Sequence, residues 1–252
     1  MNTEVIKNDL LNHNPKKTDF MGAHMPLMQK ANFAVDVIWE NVVECDKRYG
    51  FKPNFLRWGY HPKLEDIEHK AEKDLDFYLF GSMSDRRKRI VQALQDKGFK
   101  GISDGSCPYF LRNDRIARAK VNLNIIQEVI YTHVNSFRIC YLANNKCAIL
   151  SEIEEDGAGY LDLAVVSDKY RYVDAFANLI SGDAWKRQAE KSYEMFRQTS
   201  MVDCMERVLD EGLGRDERHR HRLVPGHLHL AQELGGGGGD GHRLLDQPDQ
   251  GG

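Results

Sequence analysis

Between residues 74 and 200, short apolar runs alternate with amphipathic stretches, and this alternation leaves few folds open to the chain. The clearest run, Asp76-Phe77-Tyr78-Leu79-Phe80, is apolar on both faces, as a strand buried in a parallel sheet is. Gly81-Ser82 ends it. Ser84 or Asp85 can then cap a helix carrying Ile90, Val91 and Leu94 on one face, which Gly98 can close. The pattern repeats, with strands expected over 99–103, 121–126, 147–150 and 161–166, and helices over 112–120, 133–144, 169–180 and 183–197. Strands alternating with helices predict an α/β domain over 74–200, its parallel sheet covered on both faces. Ligands of such sheets meet the carboxyl ends of the strands, which puts Gly81-Ser82, Asn124 and Ser151-Glu152 on one edge.

Upstream the same pattern is incomplete. Residues 18–30 and 40–49 read as helices and 33–38 and 54–57 as strands, so 1–58 is expected to be part of a second α/β unit, its apolar Val35, Val37 and Ile38 left exposed. The turn Gly59-Tyr60-His61-Pro62 and the charged stretch after it read as a linker over 59–73.

The segment 206–252 is different in kind. Its 47 residues use ten amino-acid types, those whose codons can begin with G or C, and no Lys, Ile, Asn, Ser, Thr or aromatic residue occurs. These types make up roughly half of ordinary composition, so chance gives such a run odds on the order of 10⁻¹⁴. A GC-rich gene read out of frame produces this pattern, and the segment is expected to be a disordered, frameshifted tail; a low-complexity linker is the alternative. The cluster His219, His221, His227 and His229 is therefore not read as a metal site.

Composition excludes several classes. Hydrophobic residues at 41% and charged residues at 29% fit a folded chain. A net charge of −3 gives no general attraction to nucleic acid or anionic membrane. No apolar stretch approaches the roughly 20 residues that span a bilayer, and the polar N-terminus is unlike a signal peptide. Five cysteines without a CxxC pair suit free thiols in a reducing, cytoplasmic setting.

Five ordered motifs carry a family resemblance: Gly59-Tyr60-His61-Pro62; Asp76 to Ser82 with Arg86-Arg87; Ala119-Lys120 to Asn124; Arg138; and Ser151-Glu152. Together, over roughly 32–198, they resemble bacterial glycosyltransferases of the group-1 type, near the spore-protein CgeB-like branch. The resemblance implies the carboxyl-terminal, Rossmann-like half of a GT-B fold, preceded by a partial second Rossmann-like unit. It also implies a nucleotide-diphosphate sugar as donor, an acceptor that is a glycan, a protein or a small molecule, and neither cofactor nor metal. The chain departs from the family at Arg138-Ile139-Cys140-Tyr141, where a carboxylate is expected in place of Tyr141. No catalytic residue is assigned.

The residues themselves support a donor site. Gly81 has no Cβ to hold a diphosphate off the backbone, and the helix behind it favours negative charge. Arg86 and Arg87 in the first turn oppose the helix dipole, a placement that an anion nearby explains; solvated arginines on an ordinary turn are the bland reading. Glu152 implies, through the resemblance, an acceptor for ribose or sugar hydroxyls, against a solvated loop carboxylate beside Glu154, Glu155 and Asp156. Arg138 reaches the same edge only if its helix starts near Val134. Ser82, Asn124 and Ser151 complete the donor-binding set, and Tyr60, His61 and Lys120 are candidates for the cleft wall.

Overall fold

The structure, a computed structural model, describes residues 20–128 and 132–214, with side chains from Met25 onward. The amino-terminal part forms α1 (Phe20–Lys30), β1 (Val35–Asp36), α2 (Trp39–Tyr49) and β2 (Asn54–Phe55). β1 and β2 pair in parallel, Val35 beside Asn54. A 3-10 turn at Pro62–Leu64 follows. Then come β3 (Leu75–Phe80), α3 (Asp85–Asp96), β4 (Gly101–Asp104), α4 (Tyr109–Arg118), β5 (Ala119–Asn124), α5 (Ser136–Asn144), β6 (Ala148–Glu152), β7 (Val165–Ser167), α6 (Tyr172–Ile180), α7 (Ala184–Arg197) and α8 (Met201–Leu213).

Strands β3 to β7 form one sheet in the order β4-β3-β5-β6-β7, parallel throughout. The expected α/β architecture is therefore present. Its apolar residues divide between the faces by strand alternation. Tyr78 and Ile149 pack with Ile116, Ile139 and Phe196 on one side. On the other, Phe77, Leu79, Val121, Leu123 and Leu150 pack with Val91, Leu94 and Phe176. Because β4 leaves β3 on one side and β5 on the other, the carboxyl ends of β3 and β5 flank the point where the winding reverses, the preferred ligand position in such sheets.

Several sequence expectations are corrected. Residues 161–163 form a 3-10 turn before β7, because Tyr160 and Leu163 both turn into the core at a three-residue spacing that a strand cannot satisfy. The stretch 59–73 is pinned down. Asn144 accepts from His61 N at 3.0 Å, and Asn145 accepts from Asp66 N and Ile67 N at 2.8 and 3.1 Å while donating to the Leu64 carbonyl. Val35, Val37 and Ile38 are buried, because α8 returns across them with Cys204 and Val208. That helix runs to Leu213, eight residues into the segment expected to lack structure; the histidine cluster and the rest of the tail, 215–252, lie outside the described residues.

Candidate binding site at the carboxyl edge of the sheet

The site begins at the turn after β3. Gly81 has φ +110°, in the left-handed region that only glycine enters readily. A Cβ there would stand 2.8 Å from Nη2 of Arg138. Ser84 caps α3, its hydroxyl accepting from Arg87 N and donating to the Gln127 carbonyl. The cap turns Arg86 and Arg87 toward the loop after β5.

Arg87 is buried and donates Nε and Nη2 to the Ile125 carbonyl at 2.9 and 2.6 Å, and Nη1 to the Ser82 carbonyl at 2.7 Å. Arg86 donates to the Ile126 carbonyl and grips both oxygens of Glu152. Glu152 also accepts from Ile126 N at 2.7 Å. Its carboxylate is 1% exposed and committed to the protein's own groups rather than turned outward to a sugar.

Asn135 caps α5, accepting from Arg138 N at 3.1 Å. The helix therefore starts at Ser136, and Arg138 in its first turn points back over the switch between β3 and β5. Nη2 donates to the Phe80 carbonyl at 2.7 Å and Nη1 to Asn124 Oδ1 at 2.9 Å. Asn124 in turn donates to Ser151 Oγ at 2.8 Å and to Glu154 Oε1 at 3.1 Å. Burial, reinforced by neighbouring Arg87, pushes the Arg138 guanidinium down to about 10, so it stays charged at neutral pH. Burial, and then the charge of Glu152, pushes the Glu154 carboxyl up to about 8.

Gly81, Ser82, Arg86, Arg87, Asn124, Arg138, Ser151 and Glu152 thus converge at one edge. Lys120 does not join them. It stands four residues before Asn124, about 13 Å along the strand, and pairs with Asp76 near the opposite edge. Tyr60 and His61 also face away. Tyr60 bonds Glu65 and packs edge-on against Tyr193, and His61 caps the 3-10 turn. Their neighbours Trp58, Gly59 and Leu64 instead line a cavity of about 360 Å³ that reaches Arg138.

Across that cavity lies Arg112, which no motif in the sequence singles out. Its guanidinium stands 5.0–5.6 Å from the ring centroids of Phe80, Tyr109 and Tyr141. Among the described residues Arg112 and Arg138 form no ion pair, and Nε of each is buried without a hydrogen-bond partner. Both line a cavity whose wall is mostly apolar, with Trp58, Phe80, Phe137 and Phe196, and which also carries the polar side chains of Asn135, Tyr141 and Asn144. Glu154, which the sequence groups with a solvated acidic run, joins the site as well. No sequence signal separates it from Glu155; the difference is the contact with Asn124. Among the described residues, no group of three or more His, Cys, Asp or Glu side chains is disposed to hold a metal ion, and no helix is long and apolar enough to cross a membrane.

The fold is similar to that of the crystal structure of TarM, a glycosyltransferase, with a TM-score of 0.51 and 8% identity over 76% of this chain. The chain spans 45% of that protein's length. At this identity the likeness is one of fold, a Rossmann-like α/β unit of the kind that makes up part of a GT-B glycosyltransferase. No protein-family model and no curated protein matches the sequence.

Proposed function

We propose that the chain binds a nucleotide-diphosphate sugar at the carboxyl edge of its sheet and serves glycosyl transfer to an acceptor glycan, protein or small molecule, without a metal. The observation that carries this reading is the pair of guanidiniums, Arg112 and Arg138, facing one cavity without an ion-pair partner beside the Cβ-free turn at Gly81. A buried cation without a counter-charge is costly, and an anionic ligand removes that cost. Next to a glycine turn and the start of α3, a diphosphate is the anion whose shape suits the surface. During transfer, charge builds on the leaving diphosphate, and fixed cations stabilise it where a divalent ion would otherwise be used. Gly81 and Ser82 supply close backbone approach, Arg138 and Arg112 the charge, and the Arg86–Glu152 and Asn124–Ser151 pairs hold the edge in shape.

A second reading, a nucleotide-sugar-binding module without turnover, is favoured by Tyr141. It occupies the position of the family's expected carboxylate and gives its hydroxyl to Asp66 and Asn113. A third, an α/β nucleotide-binding regulatory domain, differs in showing no preference for nucleotide sugars over plain nucleotides.

Calorimetric titration with uridine and guanosine diphosphates and their glucose conjugates tests the proposal. Replacing Arg112 by Ala is expected to remove about 1.5–3 kcal/mol of binding, the worth of a hydrogen bond to a charged group. Equal affinity in the variant and the parent would overturn the diphosphate site. Release or transfer of the sugar separates the first reading from the second.

A further inference from the structure

A second cavity, of about 290 Å³, opens at the amino edge of the sheet among Asn122, Lys73, Lys146, Lys186 and the start of α7. Its most unusual wall is Asn122. This residue lies inside β5 between cross-strand partners Tyr78 and Ile149, and is 1% exposed. Val121 and Leu123 beside it are apolar, and an apolar side chain at 122 would suit the same layer. The amide oxygen is instead buried with no hydrogen-bond partner among the described residues. Such a group carries its full desolvation cost, which a ligand bonded to it would offset.

The charge around the cavity points the same way. Lys120, Lys146 and Lys186 are each paired with one carboxylate, those of Asp76, Glu190 and Asp183. Lys73 is held differently, donating to His69 Nδ1 and to the Ala117 carbonyl, both neutral. The His69 ring fits this role in one tautomer, with Nε2 donating to the Asn145 carbonyl at 2.7 Å and Nδ1 free to accept. Burial favours the neutral form of His69 and also lowers Lys73 from its ordinary value. With Lys73 protonated, the four lysines carry one ammonium charge more than the three carboxylates paired with them balance. The ion pair of Lys186 lies at the solvent surface and can be exchanged for a ligand at little cost.

We infer that this cavity binds a small phosphorylated polyol, its phosphate on Lys73 and the rim lysines and a hydroxyl on the Asn122 amide. A hydroxyl both donates and accepts, as the two ends of an amide require. With each water taking about 30 Å³ of liquid volume, the cavity has room for a ligand on the order of ten water volumes. This inference stands independently of the donor site at the opposite edge.

Titration of the full chain with ribose 5-phosphate, inorganic phosphate as reference, tests it by calorimetry and thermal shift. The polyol phosphate is expected to bind at least tenfold more tightly than inorganic phosphate. Asn122→Leu is expected to raise the melting temperature, because it removes the unpartnered amide, while weakening ribose 5-phosphate tenfold or more. Lys186→Glu, on the exposed rim, is expected to weaken binding several-fold with the melting temperature unchanged, and Arg112→Ala to leave it unaltered. Binding no tighter than that of inorganic phosphate, a destabilised Asn122→Leu that binds as the parent does, or loss of binding in Arg112→Ala would each overturn the inference.

Discussion

Arg86, in the first turn of α3, grips both carboxylate oxygens of Glu152 at the end of β6; Glu152 is buried, while the Arg86 side chain stays 13% exposed. Two arginines at the amino end of a helix oppose its dipole and call for an anion; for Arg86 that anion comes from the chain itself. The hydrogen-bonded carboxylate holds the Arg86 guanidinium above its ordinary range, in keeping with a close pair. Glu152→Gln removes the counter-charge of a part-buried cation and is expected to cost about 1.5–3 kcal/mol. The double variant Arg86→Met with Glu152→Leu should recover only part of it, since an apolar pair replaces both charges but leaves the Ile126 N–H and carbonyl without the partners they now have. Urea denaturation reads both effects, and a single-variant loss under about 1 kcal/mol would mark the pair as solvent-screened.

Gly81→Ala meets two obstacles, a backbone at φ +110° and a Cβ 2.8 Å from Arg138 Nη2. The expected loss is about 1–3 kcal/mol from backbone strain. Arg138 must also shift from the Phe80 carbonyl, so nucleoside diphosphate affinity is expected to fall with stability. A variant of unchanged melting temperature and unchanged affinity would show that the turn tolerates a side chain.

The sheet was legible in the sequence because its strands are short, apolar on both faces and separated by helices with a signal such as the Ser84 cap. The Asn135 cap gives no such signal, since it falls inside the stretch 133–144 that reads as helix throughout. The edge carrying Gly81, Asn124 and Ser151 followed from strand direction alone. Other features depend on tertiary contacts and leave no local trace. Nothing near Arg112 in the sequence announces three rings around its guanidinium, since Phe80 and Tyr141 come from other elements. Lys120 and Asn124 look alike as strand-flanking polar residues, yet the strand's length sends them to opposite edges. The composition of 206–252 hid the end of α8, whose Val208 faces β1 and β2.

That helix supplies a further prediction. Val208 is 3% exposed and packs with Val35, Val37, Ile38 and Leu56. Val208→Ala removes two carbons from this cluster and is expected to cost about 1.5–3 kcal/mol. Exposed Val202 on the same helix is a control whose truncation should cost under about 0.5 kcal/mol. Equal losses at the two positions, measured by thermal unfolding, would mean that α8 does not cover the amino-terminal strands.

Glu154 should impose its own pH dependence. Burial is the largest influence on its carboxyl and the Glu152 charge the next, and together they lift it from an ordinary 4.5 to about 8. The folded state therefore holds a proton on Glu154 that the unfolded chain releases near pH 4.5. A raised pKa contributes stability that is fully present below the unfolded value and is lost as pH rises through the folded one. Stability should decline between about pH 4.5 and 8. Glu154→Gln keeps an acceptor for Asn124 Nδ2 but cannot ionise, so it should lose this decline. The variant is expected to be increasingly more stable than the parent from pH 5 to pH 8. Burial depresses His69 below its ordinary value, but it does so in both proteins and cancels in the difference. Urea midpoints at pH 5, 6.5 and 8 give that difference directly. Two parallel profiles would mean that Glu154 is already ionised in the folded protein at neutral pH.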